Sequence, residues 1–297
     1  MKHSGKRIIG YTLGDQSGIG PEVITKALSS QQLNQDVDYK LIGNRVDVPI
    51  GIPNEVSARY AYEHLLLAAE ALKSGEIDAI VTAPVCKDTL HQVGFDYPGQ
   101  TEFFADQLHV KNYAMCLSGE HLTVGLASIH TALKNVPKEI NTVDLVRIAL
   151  LLTDFCHKKG ISHPNIALAG LNPHAGEEGA FGLEEELFIR PAILELKKLG
   201  LNASFFGPEV PDCVYRDAYE GKFDAVLAPY HDQGLIPLKL VDFHTAVNIT
   251  LGLPRPRISP DHGTAFAIAG KDIANPSSTL HAFNLAAKIA LSSSQNH

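Results

Sequence analysis

The segment from Arg7 to Leu28, RIIGYTLGDQSGIGPEVITKAL, decides the fold class. Residues 7–13 form a short apolar strand, which runs into a turn of small residues at 14–20. Pro21 then stands in the first turn of a predicted helix, a position at which proline is favoured. A strand, a loop and a helix in this order predict the opening unit of an α/β fold.

The same alternation continues along the rest of the chain. The predicted strands lie at 39–42, 78–82, 165–171 and 225–228, and the predicted helices at 57–73, 142–159, 184–199 and 277–292. Two further short strands, 113–117 and 122–126, predict an antiparallel hairpin that interrupts the alternation. We therefore predict two α/β domains, the first made of residues 1–104 plus 275–297 and the second of residues 105–274.

Composition excludes several classes of protein. The 297 residues are 45% apolar and 20% charged, and no apolar run approaches the roughly 18 residues of a membrane span. The net charge of -8 argues against a nucleic-acid-binding surface. The basic start, residues 1–7, leads into an apolar stretch that glycines break at once, so we expect no signal peptide. Four cysteines without a C-x-x-C pair favour a reducing, cytoplasmic location.

Three of the fourteen histidines follow predicted strands, each in a loop of small or polar residues: His130, His174 and His231. Strand ends are where α/β proteins bind ligands. Together the three side chains could hold one divalent cation and leave coordination positions open for a substrate. The alternative is three unrelated loop or capping histidines, since their spacing fits no local zinc motif.

Two aspartates near these loops could carry protons. Asp232 follows His231 directly and could bind the cation or accept a proton from a bound hydroxyl. Asp212 is another loop carboxylate. The sequence favours a simpler role for Asp212, as the N-cap of a helix over 214–220.

Several residues could bind an anion. Gly18-Ile19-Gly20 lacks the third glycine of a dinucleotide-binding fingerprint, so it predicts either a backbone anion site or merely a tight turn. Lys239, Asn248, Arg255 and Arg257 follow the His231 loop, and cations there favour a substrate with a phosphate or carboxylate. Each of them could equally be a solvated surface residue.

Residues 261–276 predict a small-residue loop, a short helix and a second loop. Small side chains at this place would let a flat ligand approach the backbone. The alternative is a plain connection between helices.

Five motifs together resemble the 4-hydroxythreonine-4-phosphate dehydrogenase family of vitamin B6 biosynthesis. They are GDQSGIGPE (14–22), NPHAGE (172–177), YHDQG (230–234), VNITLGLP (247–254) and DHGTA (261–265). The resemblance covers essentially the whole chain, and the last motif is also similar to the adenine-side cofactor loop of isopropylmalate and isocitrate dehydrogenases.

The resemblance implies two α/β/α domains of the isocitrate/isopropylmalate dehydrogenase type with a cleft between them. It also implies a homodimer whose active site lies at the subunit interface. The activity it implies is the oxidation and decarboxylation of 4-phosphooxy-L-threonine to 3-amino-2-oxopropyl phosphate. The cofactors it implies are NAD or NADP and one divalent ion (Zn, Mg or Co), with no nucleic-acid or membrane partner.

The resemblance also implies roles for individual residues. The metal ligands are His130, His174 and His231, with Asp232 and Asp212 in proton transfer. The substrate contacts are Gln100, Thr101, Lys239, Asn248 and Arg257. The residues near the nicotinamide cofactor are His262, Gly263, Thr264, Ala265 and Asn275.

The chain departs from the family pattern at three places. Gln100 stands where the family usually has a histidine, Gln16 stands where it commonly has a proline, and the stretch 44–57 is shorter than usual. These departures keep open a related dehydrogenase acting on another substrate, such as 4-phospho-D-threonate or a cis-dihydrodiol carboxylate. A metal-dependent phosphohydrolase and a non-catalytic binding protein are further alternatives. The retained histidines with Asp232, Lys239 and Arg257 disfavour the last.

Overall fold

The computed structural model describes residues 5–292, so the outermost residues of the predicted first domain and most of the basic start lie outside the described chain. The chain forms two compact units. One comprises residues up to Lys111 and residues from Val247 onward, and the other is Asn112–Ala246. These bounds differ from the predicted domains, because 105–111 and 247–274 pack with the first unit. The predicted division into 1–104 plus 275–297 and 105–274 stays a prediction.

Strands and helices alternate throughout the described residues. The strands are β1 Arg7–Thr12, β2 Val37–Leu41, β3 Ala79–Thr82, β4 Ala114–Ser118, β5 Thr123–Leu126, β6 Asn165–Ala169, β7 Ser204–Glu209, β8 Ala225–Ala228, β9 Val247–Leu251 and β10 Arg257–Pro260. The α-helices are α1 Gly20–Leu28, α2 Glu55–Ser74, α3 Lys87–Gln92, α4 Gln100–Gln107, α5 Val136–Glu139, α6 Thr142–Lys158, α7 Arg190–Lys198, α8 Pro211–Tyr219, α9 His231–Asp242 and α10 Ser277–Ser292. A π-helical turn, Glu185–Ile189, precedes α7, and 3-10 turns lie at Leu133–Asn135, Pro173–Gly179 and Phe266–Ile268.

In the first unit the strands follow the order β2-β1-β3-β10-β9. Neighbours are parallel except β9, which runs antiparallel to β10. The turn after β1 needs a glycine at position 14. Gly14 has a φ of +65°, and a Cβ there would lie 2.2 Å from the Pro84 carbonyl oxygen. The predicted strand, loop and helix at 7–28 are confirmed.

In the second unit the order is β4-β5-β8-β6-β7. The hairpin β4–β5 is antiparallel, as predicted, and the remaining neighbours are parallel. Parallel strands end at the same edge of a sheet, so the loops after β5, β6 and β8 emerge together. Those three loops carry the histidines that the sequence singles out.

The predicted α/β class is confirmed, and the regular elements follow from local chemistry. Helix α6 begins where predicted because the Asn141 side chain accepts a hydrogen bond from the Asp144 amide at 2.9 Å. Helix α10 buries its small apolar face, including Ala282, Phe283 and Ala286. Within residues 5–292, every helix is too short or too polar to span a membrane.

Candidate active site

His130 and His231 lie next to each other, with ring centroids 5.9 Å apart. Their proximity follows from the parallel pairing of β5 with β8, in which Leu126 stands opposite Ala228. The loops that follow are tied together, because the Ser128 hydroxyl donates to the carbonyl oxygen of Pro229 at 2.9 Å. His231, which the sequence places in a loop, is instead the first residue of α9.

Asp232 orients the imidazole of His231. The Nδ1 atom lies 2.7 Å from Oδ1 of Asp232, and the histidine side chain is about one third exposed. A carboxylate on one ring nitrogen fixes the tautomer and leaves Nε2 to bind a cation, which is the common arrangement around metal-bound histidines. His231 therefore fits the role of a ligand to a divalent metal. Asp232 fits the role of the residue that orients this ligand better than that of a second metal ligand.

His174 occupies an unusual turn after β6. Residues 174–178 all have φ between 44° and 82°, although only Gly176 is a glycine. The His174 side chain is 64% exposed, its Nδ1 atom lies 3.5 Å from the Glu177 carboxylate, and its ring packs edge-on against Phe181. Left-handed backbone at non-glycine residues is strained and persists where surrounding contacts enforce it.

The structure thus brings together two of the three predicted ligands. Within residues 5–292 of this one chain, no group of three or more His, Cys, Asp or Glu side chains is placed to hold a metal ion. The assignment of His174 as the third ligand stays a prediction.

Glu185 enforces the His174 turn. Its carboxylate is 1% exposed and accepts hydrogen bonds from the amides of Leu171 and Asn172 at 2.8 and 2.7 Å, and from Asn172 Nδ2 at 2.9 Å. A Cβ at Gly176 would lie 2.6 Å from Glu185 Oε2. The turn therefore wraps around one buried carboxylate.

Sequence reasoning missed Glu185, although a signal was available. In the predicted helix it stands on the same face as Ile189, Ala192 and Leu196, all buried in the structure. A charged residue in a core stripe is expected to have partners that satisfy it.

Asp212 lies in the first turn of α8. The interpretation of this residue as a helix N-cap is wrong, because α8 begins at Pro211 with Val210 as its cap and has no side-chain cap hydrogen bond. Proline fixes the dihedral of the first helical turn, which starts the helix three residues earlier than predicted. The exposed carboxylate of Asp212 is left for another role.

A pocket of about 530 Å³ runs along α9, lined by His231, Asp232, Leu235, Ile236, Lys239 and Leu240. Lys239 lies two turns after His231 on the same helix, so both face this pocket. The predicted metal ligand and the predicted substrate lysine therefore share one surface.

Arg257 is a buried cation with neutral hydrogen-bond partners. It is 3% exposed, its Nε donates to the Thr82 hydroxyl at 3.0 Å, and its terminal nitrogen donates to Gln100 Oε1 at 2.9 Å. The guanidinium also lies 5.9 Å from the centre of the Phe104 ring. Burial lowers the pKa of Arg257 to about 9, and the charge of Glu102 opposes this, so the group stays charged at neutral pH. Such a cation favours an incoming anion.

Two more predicted substrate residues lie in the same unit as Arg257. Thr101 is buried and accepts a hydrogen bond from the Thr250 hydroxyl at 3.3 Å. Asn248 Oδ1 is buried and has no hydrogen-bond partner within the described residues. An orphaned acceptor of this kind indicates a missing donor, such as a ligand hydroxyl.

The predicted cofactor loop is tied to the first sequence motif. The Ile19 amide donates to the Thr264 carbonyl at 2.9 Å, and a Cβ at Gly18 would lie 2.6 Å from the same oxygen. The glycine at position 18 therefore permits this close approach. Ala265 follows in a left-handed conformation with φ of 43°.

His262, Gly263 and Asn275 complete this loop region. The Nδ1 of His262 lies 3.1 Å from the Gly263 carbonyl oxygen, while its Nε2 is buried without a partner among the described residues. Burial lowers the pKa of His262, which favours the neutral imidazole. A Cβ at Gly263 would meet nothing within 4 Å, and Asn275 Oδ1 accepts from the Ser277 amide at 2.9 Å. Open space beside the backbone and an unused ring nitrogen fit a flat, polar ligand such as a nicotinamide dinucleotide.

Comparison with known proteins places the chain among α/β dehydrogenases. Residues 14–286 match the family described as pyridoxal phosphate biosynthetic protein PdxA, and the chain belongs to that family. It is 38% identical to the D-threonate 4-phosphate dehydrogenase of Pectobacterium atrosepticum, with 96% of this chain and 99% of the relative covered. It is also 38% identical to the 4-hydroxythreonine-4-phosphate dehydrogenase of a Synechocystis species, with 94% of each covered.

Solved structures agree with this assignment. The crystal structure of a 4-hydroxythreonine-4-phosphate dehydrogenase from Klebsiella pneumoniae is 32% identical, with a TM-score of 0.85 over 97% of this chain and 99% of the other. A β-decarboxylating dehydrogenase from Thermococcus kodakarensis, 17% identical with a TM-score of 0.51, covers 93% of this chain and 81% of the other and shares the fold alone.

Proposed function

We propose that this chain catalyses the NAD- and divalent-metal-dependent oxidation and decarboxylation of 4-phosphooxy-L-threonine to 3-amino-2-oxopropyl phosphate in vitamin B6 biosynthesis. The observation that carries the proposal is the adjacent pair His130 and His231, with Asp232 on the Nδ1 of His231, in a chain of the PdxA family. The absence of disulfides among its four free cysteines suits action in the cytoplasm.

The second unit carries the proposed metal ligands and proton acceptors. His130 and His231 would hold a divalent ion, and Asp232 keeps His231 in the tautomer whose Nε2 is available. When bound, the ion would lower the pKa of the substrate hydroxyl and the nicotinamide would accept hydride. Asp232 and Asp212 are proposed to take the hydroxyl proton, since both carboxylates are exposed to an incoming substrate.

The first unit supplies anion binding. Arg257 presents a desolvated positive charge, and Gln100 holds that charge through its carbonyl oxygen. Gln100 must use its oxygen here because a guanidinium only donates hydrogen bonds. Its Nε2 donates one N–H to the Ala83 carbonyl oxygen at 3.5 Å and has a second N–H for the substrate. Thr101 and Asn248 of this unit and Lys239 of the second unit are proposed as further substrate contacts.

The proton, the hydride and the carbon dioxide that leave the substrate are all accounted for in the proposed reaction. The secondary alcohol loses a proton to a base and a hydride to the nicotinamide, which leaves a ketone β to the carboxylate. A β-keto acid then loses carbon dioxide, and a proton replaces it on carbon. His262 to Ala265 and Asn275 are proposed to bind the dinucleotide, since the unpartnered Nε2 of His262 needs a ligand group.

We assign the third metal ligand to His174 of a second copy of the chain, which makes the enzyme a homodimer. Two observations support this. His174 is well exposed and does not join the pair in its own chain, and α9 carries the exposed apolar side chains Ile236 and Leu240, which line the same pocket as His231. Exposed apolar clusters of this kind favour association.

The experiment that tests the function compares kcat/KM for 4-phosphooxy-L-threonine and 4-phospho-D-threonate with NAD, in protein stripped of metal and then reloaded with zinc, magnesium or cobalt. We expect NADH formation that depends on metal and is faster with the L-threonine ester. Turnover of the D-threonate ester alone would favour the second candidate, D-threonate 4-phosphate dehydrogenase. That candidate is supported by the name of the Pectobacterium relative and by the glutamine at position 100.

A further inference from the structure

The side chain of Gln16 forms hydrogen bonds to a segment of the first unit that has no regular secondary structure. The side chain is 4% exposed, its Nε2 donates to the Asn44 carbonyl oxygen at 2.8 Å, and its Oε1 accepts from the Val46 amide at 3.1 Å. Both polar atoms of the buried Gln16 amide therefore form hydrogen bonds to the backbone of residues 43–54, here called the 43–54 segment. The segment joins β2 to α2 and contains neither helix nor strand.

The far end of the 43–54 segment is held by the next residue of the same motif. The Gly51 amide donates to the Ser17 carbonyl oxygen at 2.7 Å, and Asn54 Nδ2 donates to the Ser17 hydroxyl at 3.2 Å. Gln16 is thus the residue that bonds to the backbone of both Asn44 and Val46 in the first half of the segment, and Ser17 attaches the second half. Two further contacts hold residues 44 and 45, because the Asn44 amide donates to Nε2 of His64 at 3.3 Å and Arg45 donates to the Thr25 hydroxyl at 3.0 Å.

The 43–54 segment forms one wall of a pocket of about 230 Å³. The pocket is lined by Gln16, Gly18, Pro21, Glu22, Ile50, Gly270 and Asp272. Ile50 is 54% exposed and packs close to Gly270, where a Cβ would lie 2.9 Å from it. The opposite wall belongs to the loop that follows the His262–Ala265 motif. Ile50 therefore offers an apolar face to whatever that loop binds.

One polar atom of a residue that lines this pocket, Oε2 of Glu22, has no hydrogen-bond donor within the described residues. Glu22 Oε1 accepts from the Ala274 amide and from Lys26 Nζ at 2.7 and 2.8 Å, while Oε2 is buried without a partner among the described residues. A ribose hydroxyl is a donor of the required kind. A pocket with an apolar wall and one orphaned acceptor suits the nucleoside part of a dinucleotide.

We propose that Gln16 is a positioning residue for dinucleotide binding: it fixes the 43–54 segment so that Ile50 closes this pocket over the cofactor. The inference rests on the proposed use of NAD.

The test measures NADH affinity directly, by fluorescence titration of the intact protein, in Gln16→Ala, Gln16→Glu and the wild type. Gln32→Ala, an exposed glutamine of the same unit, is the matched control. We expect Gln16→Ala to raise the Kd for NADH roughly three- to thirty-fold, as loss of two hydrogen bonds allows. Gln16→Glu keeps the acceptor for Val46 but sets a buried carboxylate oxygen against the Asn44 carbonyl oxygen, so its Kd should rise at least as far as that of Gln16→Ala.

Steady-state kinetics add a readout that general loss of structure would not give. The KM for NAD should rise in Gln16→Ala while the KM for the phosphorylated substrate stays within about twofold, and amide hydrogen exchange should speed up at Val46. A Kd for NADH in Gln16→Ala equal to that of the wild type and of Gln32→Ala overturns the inference alone. Absence of NADH binding by the wild type overturns the proposed function and the inference with it.

Discussion

Gln100 Oε1 accepts a hydrogen bond of 2.9 Å from the guanidinium of Arg257, so a neutral amide stands against a fully desolvated cation. The other side-chain partner of Arg257, Thr82, is also neutral. Neither hydrogen-bond partner cancels the positive charge, and the carboxylate of Glu102 acts on it only through space. This arrangement leaves most of its attraction for an anionic group of the substrate.

Replacement of Gln100 by glutamate should remove that attraction while preserving the shape of the site. A carboxylate at this position pairs with Arg257, and we expect the KM for the phosphorylated substrate to rise by about tenfold or more with little change in thermal stability. Gln107→Glu, at the other end of α4, is the control and should leave KM unchanged. An unaltered KM in Gln100→Glu contradicts the role given to Arg257.

The dimer proposal predicts complementation between two inactive variants. His174→Ala and His231→Ala should each lack turnover at ordinary metal concentrations. When the two are unfolded together and refolded as a mixture, half of the dimers are mixed, and each mixed dimer has one site with all three histidines. About a quarter of wild-type activity should return. Persistent inactivity of a mixture shown by light scattering to contain dimers would place all three ligands in one chain.

Glu185 should matter for the metal without touching it. Glu185→Gln turns one accepting oxygen into a donor against the amides of Leu171 and Asn172, so we expect a loss of about 1–3 kcal/mol in the free energy of unfolding. Metal affinity should fall as well, since the strained turn of His174 loses its support. Glu186→Gln, whose carboxylate pairs on the surface with Arg190, serves as control. Urea unfolding and metal titration measure the two effects, and equal behaviour of both variants would refute the role.

The pair His121 and Asp242 predicts a pH-dependent part of the stability of the second unit. Hydrogen bonding to the buried Asp242 carboxylate raises the pKa of His121 above its ordinary value of 6.5. A raised folded-state pKa stabilises the fold fully below about pH 6.5, and the contribution disappears as the pH rises through the folded-state value. The stability difference between wild type and His121→Gln should therefore shrink between about pH 6 and pH 9. A difference in urea unfolding that stays constant across that range disagrees with this account.

The sequence predicted the fold where local signals were strong. The strand, glycine turn and proline-started helix at 7–28 and the start of α6 at residue 142 are encoded within a few residues, and both are confirmed. Strands β9 and β10 gave no separate local signal, since they pair within the first unit through contacts distant in sequence. The start of α8 was misplaced because the cap signal of Asp212 competed with the proline before it.

The candidate site was only partly predictable for the same reason. His130 and His231 could be grouped because both follow strands, and the parallel pairing of β5 with β8 then brings them together. The left-handed turn around Glu185 and the contacts made by Gln16 depend on hydrogen bonds between residues 13 to 30 positions apart. The place of Glu185 in a stripe of buried apolar residues was a signal for its bonds, whereas no local pattern of residue types marks those of Gln16.

The central claim is tested most directly by measuring the products formed from 4-phosphooxy-L-threonine, NAD and metal-reloaded protein. NADH is followed by its near-ultraviolet absorbance, carbon dioxide by trapping, and inorganic phosphate by a colorimetric assay. The account predicts equal amounts of NADH and carbon dioxide, no phosphate release, and loss of both products in His231→Ala. Phosphate release without NAD, or full NADH production by His231→Ala, would contradict it.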